Sequence, residues 1–322
     1  MPLLDVRNLT TYYRVLRGYV RAVENVSFKV EKREAVGLAG ESGCGKTTVA
    51  LSILRLLPPG GKIVSGEIIF NESLDLTKLD EDYIRENIRW KEIAIIFQGA
   101  MNALNPVYKI GDQITEAILA HEPATTKEEA LERARKLFEL VGLDPNRLDN
   151  YPHEFSGGMR QRAMIAMALA CNPKLLIADE PGTALDVIVQ AQILKLLKEI
   201  KDRLGLSMIL ITHDLSIIVE TCEKTAIMYG GKIVEFGDVY SIFKKPLHPY
   251  TKGLVSVFPD VKAPKQRMIS IPGMPPDLLY PPPGCRFHPR CQYAMPICKK
   301  KEPPFEEVEE GHFVACHLVQ KA

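Results

Sequence analysis

Residues 40–47 read GESGCGKT, between the apolar run AVGLA (35–39) and the helix-like run TTVALSILRLL (47–57). The spacing is G-x-x-x-x-G-K-[ST], which requires a strand before it and a helix after it. Glycines let the backbone curl until successive N–H groups point inward, and the start of the helix adds partial positive charge. Such a concavity is shaped for the phosphates of a nucleotide. Lys46 then supplies a point charge to the β- and γ-phosphates, and Thr47 offers a hydroxyl to Mg²⁺. Gly40, Ser42, Gly43, Cys44, Gly45, Lys46, Thr47 and Thr48 are the expected nucleotide-binding residues, with Cys44 read as a small spacer.

The rest of the chain supplies strands and helices in alternation. VRAVENVSFKV (20–30), IVSGEIIF (63–70), EIAIIF (92–97), KLLIAD (174–179), SMILIT (207–212) and TAIMY (225–229) read as strands. Helical patterning separates the last three. It also covers about 111–141, interrupted at HEPATTKEE, and GGKIVEFGD (230–238) reads as a closing hairpin. This order predicts an α/β fold with a mostly parallel sheet and helices on both faces. At 322 residues the chain is long enough for a large core plus an appendage. Its net charge of +1 provides no global basic field for nucleic acid. No apolar run approaches the roughly 20 residues of a membrane span, and no secretory pattern opens the sequence. A soluble, cytoplasmic protein is expected.

A second site follows from KLLIADE. A buried strand does not end in adjacent carboxylates for packing reasons, because unpaired buried charge is costly. At the carboxyl edge of a parallel sheet such acids meet ligands. Asp179 is placed to hold Mg²⁺ through its water shell, and Glu180 to polarise an attacking water. Gln98 after IIF and His213 after ILIT carry little weight alone.

At 155–162 the sequence reads FSGGMRQR. With the phosphate loop, IIFQ, LLIADEP, TALD and ITHD in this order, the chain resembles the ATP-binding cassette (ABC) ATPases over about residues 1–240. Phe155 and Met159 depart from the usual L-S-G-G-Q, while Ser156, Gly157 and Gly158 are intact. The resemblance implies a P-loop NTPase (RecA-like) core with an antiparallel β subdomain and a helical subdomain at about 99–163. It implies ATP sandwiched between Lys46 of one subunit and Ser156–Gly158 of another, and hydrolysis of that ATP. It gives Gln98 the role of linking Mg²⁺ and the attacking water to a transmembrane partner. His213 would touch the γ-phosphate, and Asp186 would cross the dimer interface. An aromatic residue would stack on adenine: Tyr13, with Tyr19 and Tyr12 as rivals. Gly182 stands where the family usually has Thr or Ser, which is expected to loosen that loop.

GAMNALNP (99–106), LHPYTKGL (247–254) and GCRFHPRCQYAMPIC (284–298) narrow the resemblance to oligopeptide/dipeptide-type importer ATPases. That family implies a peptide-like solute and a second ATPase subunit, homologous or identical. It also implies two transmembrane permeases, and indirectly an extracytoplasmic solute-binding protein. The ATPase would sit peripherally on the cytoplasmic face of the membrane, with a groove near Gln98 for a permease helix. Oligosaccharide or nickel remains an alternative cargo. A soluble ABC ATPase of DNA repair or translation is the alternative function; neutral charge argues against it and against a nucleic-acid partner.

Residues 241–322 read as a C-terminal extension with prolines that break regular structure and too little apolar mass to fold by packing alone. Cys285, Cys291, Cys298 and Cys316 crowd its second half. Their spacings exceed those usual for structural zinc, and disulfides disagree with a reducing compartment. Four thiolates suit a [4Fe–4S] cluster, which the resemblance also implies; zinc or no metal are the alternatives. His288, His312 and His317 are possible substitute ligands.

Overall fold

The structure is a computed structural model describing residues 1–99, 103–183, 185–256 and 271–319. In chain order its elements are β1 (Leu4–Val15), β2 (Gly18–Val30), β3 (Ala35–Ala39), α1 (Lys46–Ile53), β4 (Gly61–Phe70) and β5 (Leu74–Asp75). There follow α2 (Glu81–Tyr83), β6 (Ile93–Ile96), α3 (Ile110–His121), α4 (Lys127–Leu140), α5 (Gly157–Ala168), β7 (Leu175–Asp179), α6 (Val187–Leu204) and β8 (Ser207–Thr212). The chain ends with α7 (Leu215–Thr221), β9 (Lys224–Tyr229), β10 (Lys232–Asp238), α8 (Val239–Lys244), α9 (Pro249–Val255), β11 (Glu306–Glu309) and β12 (His312–Val314). Two compact units emerge. The first comprises Met1–Val30, Ala35–Thr77 and Ile211–Ala322; the second comprises Glu31–Glu34 and Lys78–Leu210.

In the first unit β1 and β2 form an antiparallel hairpin, and β1 also pairs antiparallel with β4. The order in that sheet is β2-β1-β4-β5. Five apolar residues in a row make β3 buried along its whole length, as a strand covered on both faces requires. It pairs parallel with β9, and β10 and β12 continue the sheet antiparallel. Helix α7 covers β3 so closely that a Cβ on Gly37 would lie 2.7 Å from Ile218. Helix α1 is shorter than its apolar spacing predicts. It stops at Ile53, because Arg55 turns left-handed at φ 53° ahead of the Pro58-Pro59 pair.

In the second unit β6 pairs parallel with β7, and β7 lies between β6 and β8. The polar interruption HEPATTKEE becomes a helix boundary. Thr126 and Glu129 close a reciprocal capping box at the start of α4. Helix α6 starts on the Asp186 side chain and ends at Gly205 in the left-handed conformation.

The proline-rich end of the chain differs from expectation. Pro249 occupies the first turn of α9, where its missing N–H costs nothing, and α8, β11 and β12 are regular too. Nor does this segment lack a core. Tyr250 and Phe287 are buried against Tyr229 of β9, with ring centroids 4.7 Å and 5.1 Å from the Tyr229 ring. Three aromatic side chains bury large apolar area in few residues, which offsets the shortage of aliphatics. Pro259 and Pro264 lie outside the described residues.

Candidate active site

The loop at 40–47 is curled as its glycines allow. Gly40, Gly43 and Gly45 have φ of 147°, 76° and 105°. A Cβ on Gly40 would stand 2.2 Å from the Met228 carbonyl oxygen, and one on Gly45 would stand 2.2 Å from that of Ala22. Glycine is therefore required at both positions by conformation and by space. Lys46 is buried, and its Nζ donates to the carbonyl oxygens of Gly40 (2.7 Å) and Glu41 (3.0 Å). The ammonium is thus held across the loop. Ser42, Gly43 and Thr47 are exposed, while Thr48 is buried. Cys44 is also buried, and burial raises its thiol pKa, which suits a spacer more than a nucleophile.

Tyr13 is half-buried, and its hydroxyl donates to Thr48 Oγ1 (3.3 Å) at the start of α1. Tyr12 donates to Glu24 (3.0 Å), and Tyr19 is exposed near the tip of the β1–β2 hairpin. His213 is exposed in the short turn between β8 and α7.

The second unit brings two predicted residues together. Gln98, after β6, donates through Nε2 to Glu180 Oε2 at 2.8 Å. Thr183 Oγ1 donates to the same oxygen at 3.0 Å. Thr183, three residues after Glu180, is a contact that the sequence pattern does not single out. Glu180 itself has φ 46°, a left-handed conformation that non-glycine residues rarely adopt. Strain of this kind persists where surrounding structure fixes it, and the two donors on Oε2 contribute to that fixing. Asp179 is buried at the end of β7.

Ser156 accepts a hydrogen bond from the Met159 N–H and so starts α5. Gly158 lies against α6: a Cβ there would be 2.7 Å from Val189. The Ser156 and Asp186 helix starts are therefore neighbours, with Val187 and Ile188 exposed beside them. Phe155 points the other way, buried against Phe138 with centroids 6.5 Å apart. Gly182 does not sit in open space. It is buried under Gln190, whose Cγ would be 2.4 Å from an added Cβ, so the expected loosening gives way to close packing. Ala184 of TALD and residues 100–102 of GAMNALNP lie outside the described residues. Phe97, Val107 and Tyr108 are exposed on either side of that stretch.

Cys285, Cys291, Cys298 and Cys316 line one small cavity of ≈10 Å³ together with Phe287, His288 and His317. Burial pushes the Cys285 thiol up to about 11 and raises Cys291 and Cys316 as well. All seven cysteines are free thiols. Among the described residues no group of three or more His, Cys, Asp or Glu side chains gathers closely enough to hold a metal ion. His312 is not available as a substitute ligand, since its Nε2 lies 2.8 Å from buried Glu235.

Comparison with known proteins accords with this geometry. The family profile "ABC transporter" matches residues 23–183, and "Oligopeptide/dipeptide transporter, C-terminal region" matches 234–298. A probable peptide ABC transporter ATP-binding protein, y4tR of Sinorhizobium fredii, is 50% identical over 98% of this chain and 94% of its own. The oligopeptide transport ATP-binding protein OppD of Bacillus subtilis is 47% identical over 98% of this chain and 89% of its own. The dimeric structure of MJ0796, a bacterial ABC transporter cassette, superposes with a TM-score of 0.65 at 28% identity, covering 73% of this chain and 98% of that one. A post-hydrolysis MJ0796 dimer bound to ADP and Pi gives the same TM-score of 0.65 at 27% identity and the same coverage, 73% and 98%. Among the described residues no helix is long and apolar enough to cross a membrane. This chain belongs to the ABC transporter ATPases, in the oligopeptide/dipeptide group.

Proposed function

We propose that this chain is the ATP-hydrolysing subunit of an importer for peptides. What carries the reading is the joint match on one chain, an ABC cassette over 23–183 and an oligopeptide/dipeptide transporter C-terminal region over 234–298. Residues 1–240 act as the nucleotide-binding domain, with a helical subdomain near 99–163, and 241–322 as its extension. The loop Gly40–Thr48 holds the phosphates, and Tyr13 stacks on adenine. Thr47, Gln98 and Asp179 offer the hard oxygen donors that Mg²⁺ prefers, and the ion neutralises charge on the phosphates when bound. Glu180 takes the proton of the attacking water, Gln98 and Thr183 orient that carboxylate, and His213 contacts the γ-phosphate. Ser156–Gly158 and Asp186 serve a second subunit's ATP, and exposed Val187 and Ile188 support such an interface. Exposed Phe97, Val107 and Tyr108 support a permease contact near Gln98 on the cytoplasmic face of the membrane. A solute-binding protein outside the membrane acts only through the permeases.

Reconstitution with the cognate permeases and binding protein tests this. The expected result is ATP-dependent uptake of labelled peptide into liposomes. Uptake of nickel or an oligosaccharide but no peptide would overturn the cargo assignment.

The donor chemistry of Cys285, Cys291, Cys298 and Cys316, four soft sulfurs lining one cavity, supports a [4Fe–4S] cluster, and the cavity of ≈10 Å³ must widen to take it. The cluster would cross-link the extension when bound. Anaerobically purified protein is expected to carry iron, sulfide and a visible charge-transfer band, all lost in Cys291→Ser. Stoichiometric zinc in place of iron would rule the cluster out.

A further inference from the structure

Glu41 puts a carboxylate inside a loop built for phosphates, where like charges repel. The fold answers that charge from the far end of the chain. Arg290 grips both oxygens of Glu41, with Nη1 2.6 Å from Oε2 and Nη2 3.0 Å from Oε1. Its remaining donors are also occupied: Nε by the Pro272 carbonyl (2.7 Å), Nη2 by that of Ile271 (3.4 Å) and Nη1 by the Tyr229 hydroxyl (3.3 Å). The guanidinium carbon stands 5.6 Å from the Tyr229 ring centroid. A buried fork with every donor satisfied has one orientation available to it.

A second contact reaches the same residue. The Glu41 backbone N–H donates to the Tyr250 hydroxyl at 2.9 Å. Tyr250 is placed by His248, whose Nδ1 accepts the Tyr250 N–H at 3.0 Å. Burial lowers the His248 pKa to about 4, so the ring is neutral near pH 7 and keeps this acceptor. The His248 and Leu247 N–H groups donate in turn to buried Glu235 (2.9 and 2.7 Å). The Glu41 carbonyl oxygen is one of the two that hold Lys46. So the residue whose carbonyl helps orient the lysine is fixed through its N–H by Tyr250 and through its side chain by Arg290.

We propose that Arg290 is a positioning residue for the phosphate loop, clamping and neutralising Glu41 so that a competent loop depends on the docked C-terminal segment. The proposal rests on the nucleotide-binding reading of Gly40–Thr47 and goes beyond it by giving residues outside every nucleotide motif a share in affinity.

The test is a double-mutant cycle read by equilibrium binding of a fluorescent ATP analogue, with a thermal melt of each protein. Arg290→Gln leaves the Glu41 carboxylate unpaired within the loop and is expected to raise Kd about tenfold or more. The Glu41→Gln/Arg290→Gln pair removes that charge and is expected to recover most of the affinity. A purely structural arginine predicts the reverse: a lower melting point, an unchanged Kd in the folded fraction, and no recovery in the pair. Either an unchanged Kd or an absent recovery overturns the proposal. Where Arg290→Gln does not fold, Tyr250→Phe deletes only the hydroxyl on the Glu41 amide. Its Kd must rise severalfold, and a wild-type value overturns the proposal. Wild-type protein that bound no ATP would instead remove the nucleotide site itself.

Discussion

Glu180→Gln is expected to lower ATP turnover by about 10²–10⁴-fold, the range for losing a general base, while ATP binding is retained. The geometry makes this substitution clean. One carboxylate oxygen, Oε2, accepts from both Gln98 (2.8 Å) and Thr183 (3.0 Å). A glutamine can present its single amide oxygen to the same two donors, so the side chain stays where it is. Its other terminal atom becomes an N–H₂, a donor that cannot take a proton from water. Chemistry is removed with little change in shape. The left-handed backbone at Glu180 tolerates the exchange, because glutamine and glutamate have the same branching. If two subunits close over ATP, the variant accumulates in the closed state, and gel filtration with ATP shows a dimer that the wild type does not retain. Phosphate release measured against equilibrium ATP binding separates the outcomes. Turnover near wild type would take the base role from Glu180.

The parts of the site legible in the sequence are those whose chemistry is local. The phosphate loop is specified by a handful of adjacent residues, since glycine supplies the left-handed φ that the curl needs. The Asp179-Glu180 pair was legible because acids at the end of an apolar strand have no packing explanation. The strands from β2 onward showed in their apolar runs. What stayed hidden is non-local or conformational. The left-handed φ of Glu180 leaves no trace in composition. Strand β1 is not legible, because its polar NLTTYY stretch weakens the alternation that marks a strand. The Arg290 clamp spans 249 positions and the Tyr250 bond 209, and no periodicity reports on pairs so far apart. Prolines in residues 241–322 predict breaks in regular structure, yet Pro249 starts a helix. The core of this segment is completed by Tyr229 of β9, far from it in the pattern of apolar runs.

Replacing Gly45 by alanine is expected to be nearly as damaging as losing the base, through a different cause. Gly45 stands at the start of α1 with φ 105° and ψ 2°, where an L-residue is strained by about 1–3 kcal/mol. Space compounds the strain. The new methyl carbon would lie 2.2 Å from the Ala22 carbonyl oxygen, a backbone atom of β2 that cannot rotate away. Either the strand or the loop must move. The same loop end is tied to the hairpin strand through the turn after β9, because the Gly231 N–H donates to the Cys44 carbonyl (2.9 Å) and Gly231's own carbonyl accepts the Glu24 N–H (2.8 Å). A shift that relieves the clash therefore pulls on Cys44 and tilts the N–H groups meant for phosphate. Strain and clash together make a loss of about 3 kcal/mol reasonable, which is about 100-fold in ATP affinity. Gly43→Ala is the control. Gly43 is also left-handed, at φ 76°, but nothing stands within 4 Å of its added Cβ. The apoprotein should lose only about 1 kcal/mol there, and its thermal midpoint should fall less than that of Gly45→Ala. Equal melting points for the two variants, or wild-type ATP affinity in Gly45→Ala, would mean that the approach of Ala22 does not constrain the loop.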